Sequence, residues 1–500
     1  MSKQAERLYN AITYIDEDII EAAQERFAVK KTPSRVAIFS GIAASVACIA
    51  AAGVYAVTDM NTDTIEKLSV GFNSMPDTSA LMLTEVVYPE MPQYPGENNY
   101  EPINPWTGDI SKTQREAWWN ASKTRSAYGM QCDGLEDFCA NTIRTFLREG
   151  DENKIYSPAS LFMALGMSAE ITDGNTREQF LDVLGCDSID TLREKVKALW
   201  NANYADDGMA KSLISNSLWL NNDITFSGST IKLVRDSYYA QSFVGEPGDP
   251  AYDKMLQNWL NRQTSGNLEN YVSGIKLDPL TVISLASTVD YCGKWVDKFS
   301  KDHTKPGIFH AADGDKECDF MHSRGNQVYY WGEKYSAITL ALENNGSMML
   351  MLPDEGITPG ELLNDDQAMA FITGDHDKVG NHNVPEVMLS MPKFDISNSF
   401  DLSDGLKELG ITDAFDFSKA DFSPLTDFPE VALTQAEQAA RVQIDEEGCR
   451  ASAMTVMMSA GAALPQSTIE MTFDRPFIFA ITGSGNVPLF VGIVNDPTET

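Results

Sequence analysis

The stretch Glu446-Glu-Gly-Cys-Arg-Ala-Ser-Ala-Met-Thr455 is the part of the chain that decides the fold. No proline occurs from Glu446 to Leu464. A segment can enter the middle of a β-sheet only if it lacks proline, because a central strand pairs on both sides. Alternate side chains of a strand share a face, so one face would be small enough for burial and the other could keep a charge in water. The first set is Cys449, Ala451, Ala453 and Thr455, and the second is Arg450, Ser452 and Met454. An ordinary exposed loop would also fit this pattern.

The composition indicates an acidic, folded protein and excludes several functions. The chain has 500 residues, and its 72 acidic against 38 basic side chains give a net charge of −34. We therefore expect no nucleic-acid partner, because affinity for polyanions comes from Lys and Arg that neutralise phosphates. The five histidines form no HExxH motif, and nothing implies a metal or a cofactor. Walker, GxGxxG and GxSxG motifs are missing, which predicts that the protein is not an enzyme.

The N-terminal part predicts a membrane anchor. Residues 1–35 have the pattern of a charged amphipathic helix and form a cytoplasmic segment. Residues 36–57 contain no charged side chain, and as a helix they would span about 33 Å, enough to cross a bilayer as a single transmembrane helix. Basic residues precede this run and acidic residues follow it, so the positive-inside rule places everything after it outside the cell. The alternative is secretion after signal cleavage near Val54–Ala56.

The rest of the chain divides into a linker and one large domain. Residues 58–128 contain six prolines between Pro76 and Pro105 and predict an extracellular linker or stalk. Residues 129–500 alternate helical and strand-like apolar patterns, which predicts a mixed α/β domain.

Several separated blocks of this domain agree in order and spacing with one family. The chain resembles the serpins, the serine protease inhibitors, over nearly all of residues 129–497, and the stretch from Glu446 to Thr455 resembles their reactive-loop hinge. The other matching blocks are Asn153–Ser160, Asp173–Gln179, Asn258–Leu268, Leu277–Pro279, Gly293–Trp295, Ser347–Pro353, Met391–Phe394, Asp474–Phe477 and Pro488–Gly492.

The resemblance implies the serpin fold, which is α+β with three β-sheets, about nine helices and an exposed reactive-centre loop. It also implies a suicide-substrate mechanism, in which a serine protease cuts the loop and stays trapped as the loop inserts into the large sheet. The partner would be an extracellular serine protease, and the inhibitor would be a monomer. The N-terminal anchor suggests a bacterial surface protein.

The resemblance also assigns roles to single residues. The scissile bond falls between Ala462 and Ala463, where small side chains favour an elastase-like protease, and the runner-up Leu464 would favour a chymotrypsin-like one. The hinge consists of Glu446, Gly448, Cys449, Ala451, Ala453 and Thr455, and the shutter and breach consist of Ser157, Ser160, Ser287, Trp295, Lys393 and Gln438.

Some of these positions depart from the family pattern. Cys449 replaces the usual Thr or Ser, and Arg450 replaces an acidic residue. In the shutter, Ser287 and Gln438 stand where the family commonly pairs Asn with His, and we expect these two side chains to rebuild the hydrogen bond. In the breach, Lys393 is expected to form an ion pair with Glu446. A non-inhibitory serpin that acts as a binding or structural module is the alternative function.

Overall fold

A computed structural model of the chain describes most of the predicted domain and part of the segment before it. The described residues are 81–94, 108–148, 150–266, 272–343, 345–375, 378–379, 381–434, 436–449, 468–485 and 487–499. All of them belong to one compact unit, Val70–Thr500. None of the helices in these ranges is both long and apolar enough to cross a bilayer. The predicted cytoplasmic segment 1–35 and transmembrane helix 36–57 lie outside the described residues.

The described residues form ten α-helices. They are α1 (Gly108–Gly129), α2 (Glu136–Leu147), α3 (Pro158–Glu170), α4 (Gly174–Val183), α5 (Ile189–Asn203), α6 (Gly228–Tyr238), α7 (Pro250–Gln263), α8 (Pro359–Leu362), α9 (Asp366–Thr373) and α10 (Ser403–Leu409).

Three β-sheets accompany the helices. The large sheet has the order β1 (Leu81–Thr84), β5 (Ala240–Gly245), β4 (Lys211–Asn221), β6 (Ile283–Lys294), β16 (Gly448–Cys449), β15 (Glu437–Asp445) and β14 (Phe394–Asp401), and β3 (Ala205–Asp206) pairs with β4. The middle sheet has the order β12 (Asn381–Asn383), β9 (Tyr329–Trp331), β10 (Tyr335–Leu342), β11 (Gly346–Pro353), β18 (Phe477–Thr482), β19 (Pro488–Val494) and β2 (Lys154–Tyr156). The small sheet has the order β17 (Thr468–Thr472), β13 (Glu386–Pro392), β8 (Gly314–Asn326) and β7 (Lys305–Ala311). The predicted three-sheet serpin architecture is confirmed, with ten described helices where about nine were expected.

Helix α3 occupies the centre of the domain and positions the large sheet. The Ser157 side chain accepts a hydrogen bond from the backbone N–H of Ser160, and Pro158 follows at the first helical position. Both the capping serine and the proline favour the start of a helix here. Every side chain of α3 except that of Ala164 is buried, as expected for a helix that is apolar on all sides. It packs against β6 of the large sheet and β19 of the middle sheet.

The N-terminal segment differs from the predicted linker where the structure describes it. Leu81–Thr84 pairs antiparallel with β5 and adds an edge strand to the large sheet. The ring of Tyr88 lies 6.0 Å from that of Trp200 on α5, and α1 packs against the same helix. Four residues suffice for an edge strand, and Pro89 and Pro92 lie outside it, so proline does not prevent the pairing. Residues 81–94 and α1 are thus part of the same compact unit as the predicted domain.

One buried carboxylate anchors this segment. The Asp207 side chain is fully buried and accepts hydrogen bonds at Oδ2 from Trp118 Nε1, at 2.9 Å, and from Arg125 Nη2, at 3.4 Å. Its backbone oxygen accepts a hydrogen bond from the backbone N–H of Tyr94 at 2.6 Å. Because Arg125 is itself only 5% exposed, the charge of Asp207 compensates that of a buried guanidinium.

Replacement of Asp207 tests this anchor. Asp207→Ala should lower the free energy of unfolding by about 3 kcal/mol, because the guanidinium of Arg125 would remain buried without its ion-pair partner. Asp236→Ala removes an exposed partner of Arg235 and should change it by less than about 1 kcal/mol. Urea denaturation followed by tryptophan fluorescence measures both. Equal losses in the two variants would contradict an anchoring role for Asp207.

Candidate functional site

The large sheet contains a two-residue strand between two long ones. Gly448 pairs with Lys294 of β6 and with Asp445 of β15, and Cys449 pairs with Gly293 and Ile444. Strand β16 is antiparallel to both neighbours. Beyond Cys449, no ladder within the described residues joins β6 to β15. The hinge residues Gly448 and Cys449 therefore lie where the ladder that joins β6 to β15 ends, and β6 and β15 themselves lie close together.

Gly448 is required by the close approach of the strands. Its φ is +147°, a backbone conformation that side chains disfavour. A Cβ atom on Gly448 would lie 2.4 Å from the backbone oxygen of Gly293 and 2.7 Å from Cα of Lys294. Any other residue would push β16 away from β6.

Cys449 lies on the core side of the sheet. It is 3% exposed, and its neighbour across the ladder, Ile444, is 1% exposed. Burial, with smaller effects from Cys449 and Cys292, raises the pKa of Tyr291, whose hydroxyl has no hydrogen-bond partner among the described residues. The small side chain of Cys449 thus packs next to a buried aromatic ring, on the face that the sequence predicted to be buried.

The turn between β15 and β16 is held by an ion pair that the sequence predicted. Lys393 Nζ lies 3.4 Å from Glu446 Oε1, which confirms the expected contact, and the Thr304 hydroxyl donates to the same oxygen at 2.7 Å. Burial alone would raise the pKa of Glu446, but the hydrogen bonds from Thr304 and the backbone and the charge of Lys393 hold that pKa below its usual value. Glu446 is therefore ionised at neutral pH and fixes the turn.

The second glutamate of the turn has partners that the sequence analysis missed. Lys298 Nζ lies 3.3 Å and Lys301 Nζ 3.5 Å from the carboxylate of Glu447. The hydrogen bond from Lys298, aided by the charge of Lys301, lowers the pKa of Glu447. Lys298 lies three residues after the block Gly293–Trp295 that matched the family, and no spacing in the sequence connects it with Glu447.

Trp295 completes this contact. Its ring nitrogen donates to the backbone oxygen of Asp445 at 2.8 Å, and its backbone N–H donates to that of Glu447 at 3.1 Å. The side chain is 1% exposed and its ring meets that of Phe299 edge to face. The segment from Trp295 to Thr304 therefore grips the turn at 445–447 through backbone and side-chain contacts.

The shutter differs from its prediction. The backbone N–H of Ser157 donates to Gln438 Oε1 at 2.7 Å, and Gln438 Nε2 donates to the backbone oxygen of Ser157 at 3.0 Å. The buried hydroxyl of Ser287 finds no partner among the described residues. The expected hydrogen bond between Ser287 and Gln438 is wrong, because the long amide reaches across to the start of α3 beside Ser160 and uses both of its polar atoms there.

The remaining predicted positions are not described. Ala451, Ala453 and Thr455 of the hinge and the predicted scissile bond Ala462–Ala463 all lie outside the described residues. Within those residues, no group of three or more His, Cys, Asp or Glu side chains could hold a metal ion.

Loss of the Lys393–Glu446 pair should release the hinge more often. Lys393 is partly exposed, so the pair contributes about 1 kcal/mol, and Lys393→Met should raise the rate at which a pyridyl disulfide labels Cys449 about five-fold at pH 7. Lys407→Met, which removes an exposed pair with Asp404, is the control and should leave the rate unchanged. Mass spectrometry identifies the labelled cysteine.

Lowering the pH should likewise raise the rate at which the pyridyl disulfide labels Cys449 in the wild-type chain. Because the pKa of Glu446 is depressed, its stabilising contribution is complete above the ordinary value of 4.5 and is lost as the pH falls through the lower folded-state value. Labelling that is insensitive to Lys393→Met would show that the pair does not hold the turn.

Comparison with known proteins supports the assignment made from this geometry. The profile of the family described as Serpin (serine protease inhibitor) matches residues 133–497. Serpin-ZX of Arabidopsis thaliana is 27% identical over 365 residues, which cover 69% of this chain and 93% of the relative. Alpha-1-antiproteinase of Rattus norvegicus is 27% identical over 378 residues, which cover 73% and 89%.

A solved structure agrees as well. The crystal structure of Tengpin, a thermophilic serpin, in the native state superposes with a TM-score of 0.66 at 28% identity and covers 73% of this chain and 94% of its own. Together with the family profile, which matches well over half of the chain, these likenesses show that the chain belongs to the serpin family.

Proposed function

We propose that the chain inhibits extracellular serine proteases as a suicide substrate. Serpins are in general protease inhibitors rather than enzymes. In the proposed mechanism, the serine of the protease attacks the loop and forms an acyl-enzyme. The cut loop then inserts between β6 and β15 and carries the protease with it, so that the ester is trapped before water releases it. Such loop insertion is a known kind of bistable switch.

The observation that supports this mechanism is the short strand β16. It already pairs with β6 and β15 in the orientation that an inserted loop needs. If the same register continues, Ala451 would pair with Tyr291 and Val442. Val442 is 3% exposed and belongs to the core face. The next alternate residue, Ala453, would pair with Val289 and Ala440 on the same face. Small side chains fit at these positions, since a bulky or charged one would have to be buried.

The register also gives the shutter a role. Thr455 would arrive between Ser287 and Gln438, the two residues that do not bond to each other. The buried Ser287 hydroxyl has no hydrogen-bond partner among the described residues, and the threonine hydroxyl could supply one. An unsatisfied buried hydroxyl costs about 1–3 kcal/mol, so its satisfaction would favour the inserted state.

The proposed target cuts after a small residue. A cut between Ala462 and Ala463 would free Gly448–Gly461, a segment that as a strand would extend about 46 Å. Small residues around the bond fit an elastase-like primary pocket. A cut after Leu464 would instead favour a chymotrypsin-like enzyme.

Two matched variants separate insertion from simple cleavage. Pancreatic elastase should form a denaturant-stable covalent complex with the wild-type chain and release a C-terminal peptide that starts at Ala463. Ala451→Arg should still be cut there but should lose covalent trapping, because an unpaired charge would enter the core face. Ser452→Arg, one residue along on the opposite face, should keep trapping. Denaturing gels and peptide mass spectrometry measure these outcomes.

Other outcomes contradict separate parts of the proposal. A peptide that starts elsewhere would reject the Ala462–Ala463 bond alone. Clean cleavage of the wild-type chain with no complex and no rise in melting temperature would reject inhibition and favour a non-inhibitory binding module. Equal behaviour of Ala451→Arg and Ser452→Arg would reject the inserted register.

We also propose that a bacterial membrane holds the inhibitor at the cell surface as a monomer. The uncharged run 36–57 and the basic residues before it support a single span with a cytoplasmic N-terminus. Residues 81–94 and α1 then belong to the domain, so that the tether would be the sequence before residue 81. Secretion after cleavage near Val54–Ala56 is the alternative.

Protease treatment of intact cells tests this topology. External proteinase should remove the serpin domain from cells that express the full chain while a cytoplasmic marker stays intact, because the cleavable tether would lie outside. A domain that is protected as well as the marker would reverse the proposed orientation. Domain found only in the medium, with an N-terminus after Ala56, would show secretion.

A further inference from the structure

The turn between β10 and β11 imposes a special backbone conformation on one residue. The last paired residues of this hairpin are Leu342 and Gly346, and Asn345 lies in the loop directly before Gly346. The φ of Asn345 is +63°, in the left-handed region that asparagine occupies more readily than most residues. Its side chain is exposed. The backbone therefore favours asparagine at this exposed position.

The position after Asn345 admits only glycine. A Cβ atom on Gly346 would clash with the hydroxyl of Tyr291 and would lie 3.2 Å from the backbone oxygen of Thr482. Tyr291 is buried, so its ring has little room to move aside. The fold thus requires glycine directly after the asparagine. The result is the only Asn-Gly dipeptide in the 500 residues.

An Asn-Gly dipeptide can lose ammonia without an enzyme. The backbone nitrogen of Gly346 forms a bond with the side-chain carbon Cγ of Asn345, and the bond from Cγ to Nδ2 breaks. The backbone nitrogen gives its proton to base, Nδ2 leaves as ammonia, and water then opens the cyclic imide to aspartate or isoaspartate. Glycine has no side chain to hinder this attack. Gly346 is also the last pair of its ladder, where fraying frees the backbone nitrogen most readily.

The Asn345 side chain links the hairpin to helix α1. Its Nδ2 donates a hydrogen bond to the Ser126 hydroxyl at 3.1 Å. That hydroxyl donates its own proton to the backbone oxygen of Ser122, also at 3.1 Å, so it acts as an acceptor toward Asn345. A carboxylate has no proton to donate. It would face the Ser126 oxygen without a hydrogen bond unless the hydroxyl gave up its bond to Ser122.

The same hairpin also contacts the end of β6. The backbone N–H of Glu343 donates to the backbone oxygen of Lys294 at 2.8 Å, and Leu342 forms an isolated bridge with Trp295. Strand β6 is the strand that pairs with β16. The turn that contains Asn345 therefore lies between α1 and the hinge end of the large sheet.

We propose that Asn345 is a site of spontaneous deamidation and that its conversion weakens the contact between α1 and the β10–β11 hairpin. The reaction consumes only water, so the product accumulates as the folded chain ages. Each conversion adds one negative charge at neutral pH. The reaction does not depend on the proposed inhibition of proteases.

Ageing of the purified full chain tests the modification. After incubation at about 37 °C and pH 8.5, the peptide that contains Asn345 should gain about 1 Da, and an isoaspartyl methyltransferase should methylate it. The gain should be slower at pH 6.5, because less of the backbone nitrogen is deprotonated. Asn120, which is exposed on α1 and followed by alanine, is the internal control and should stay intact, since the helix holds its backbone. No gain at Asn345, or an equal gain at Asn120, would overturn the proposal.

Hydrogen–deuterium exchange tests the effect on α1. Asn345→Asp should raise the exchange rate of the amides in the last turn of α1 about five-fold, because the donor to Ser126 is lost. Asn364→Asp makes the same chemical change at an exposed asparagine that donates to Gly360, and it should leave α1 unchanged.

Aged wild-type chain avoids dependence on a variant that might misfold, and its α1 should exchange faster as the converted fraction grows. Asn345→Gly keeps the left-handed backbone and cannot lose ammonia at this position, so its exchange should not change with age. Equal exchange of α1 in fresh and fully converted wild-type chain would overturn the proposed effect on α1. An equal rise in Asn364→Asp and Asn345→Asp would do so as well.

Discussion

The structure depends on a seam in the middle of the large sheet, where β6 and β15 lie close together but share no ladder of their own among the described residues. Strands β6 and β15 are joined within the described residues only through the two residues of β16. A central strand needs partners on both sides, and buried backbone groups without partners are costly. A further strand that paired with both β6 and β15 would therefore add hydrogen bonds to the centre of the sheet. In the mechanism proposed above, the residues that follow Cys449 would become that strand.

The turn at residues 445–447 lies at the end of this seam. Glu446 pairs with Lys393, and Glu447 pairs with Lys298 and Lys301. Trp295 holds the backbone of the turn through its hydrogen bonds to Asp445 and Glu447. No single contact is strong, because Lys393 and Lys301 are partly exposed and surface ion pairs contribute little. Together these contacts stabilise the turn, but each can be broken at a small cost in free energy. In the proposed mechanism the hinge must start an insertion, and such a balance would permit it, since a fully buried ion-pair network would oppose movement.

The sequence predicted those features that depend on local pattern. The alternation of small residues placed Cys449 on the buried face, and the family spacing paired Lys393 with Glu446. The sequence did not predict the partner of a long side chain. Gln438 bonds to the backbone of Ser157 at the start of α3 rather than to Ser287, and this depends on how α3 packs. It also missed the Leu81–Thr84 strand, because four residues in a proline-rich region carry too little periodicity to be recognised.

The strand β1 determines which residues lie at one edge of the large sheet. An exposed edge strand is a template for unwanted pairing with another chain, and β1 covers the edge at β5. The buried Arg125–Asp207 pair fixes the segment that carries it. Because β1 is itself the edge strand, only four residues at that edge are left for pairing with another chain. The N-terminal segment and the hinge thus pair with different parts of the same sheet: β1 forms its edge next to β5, and β16 joins β6 to β15 in its centre.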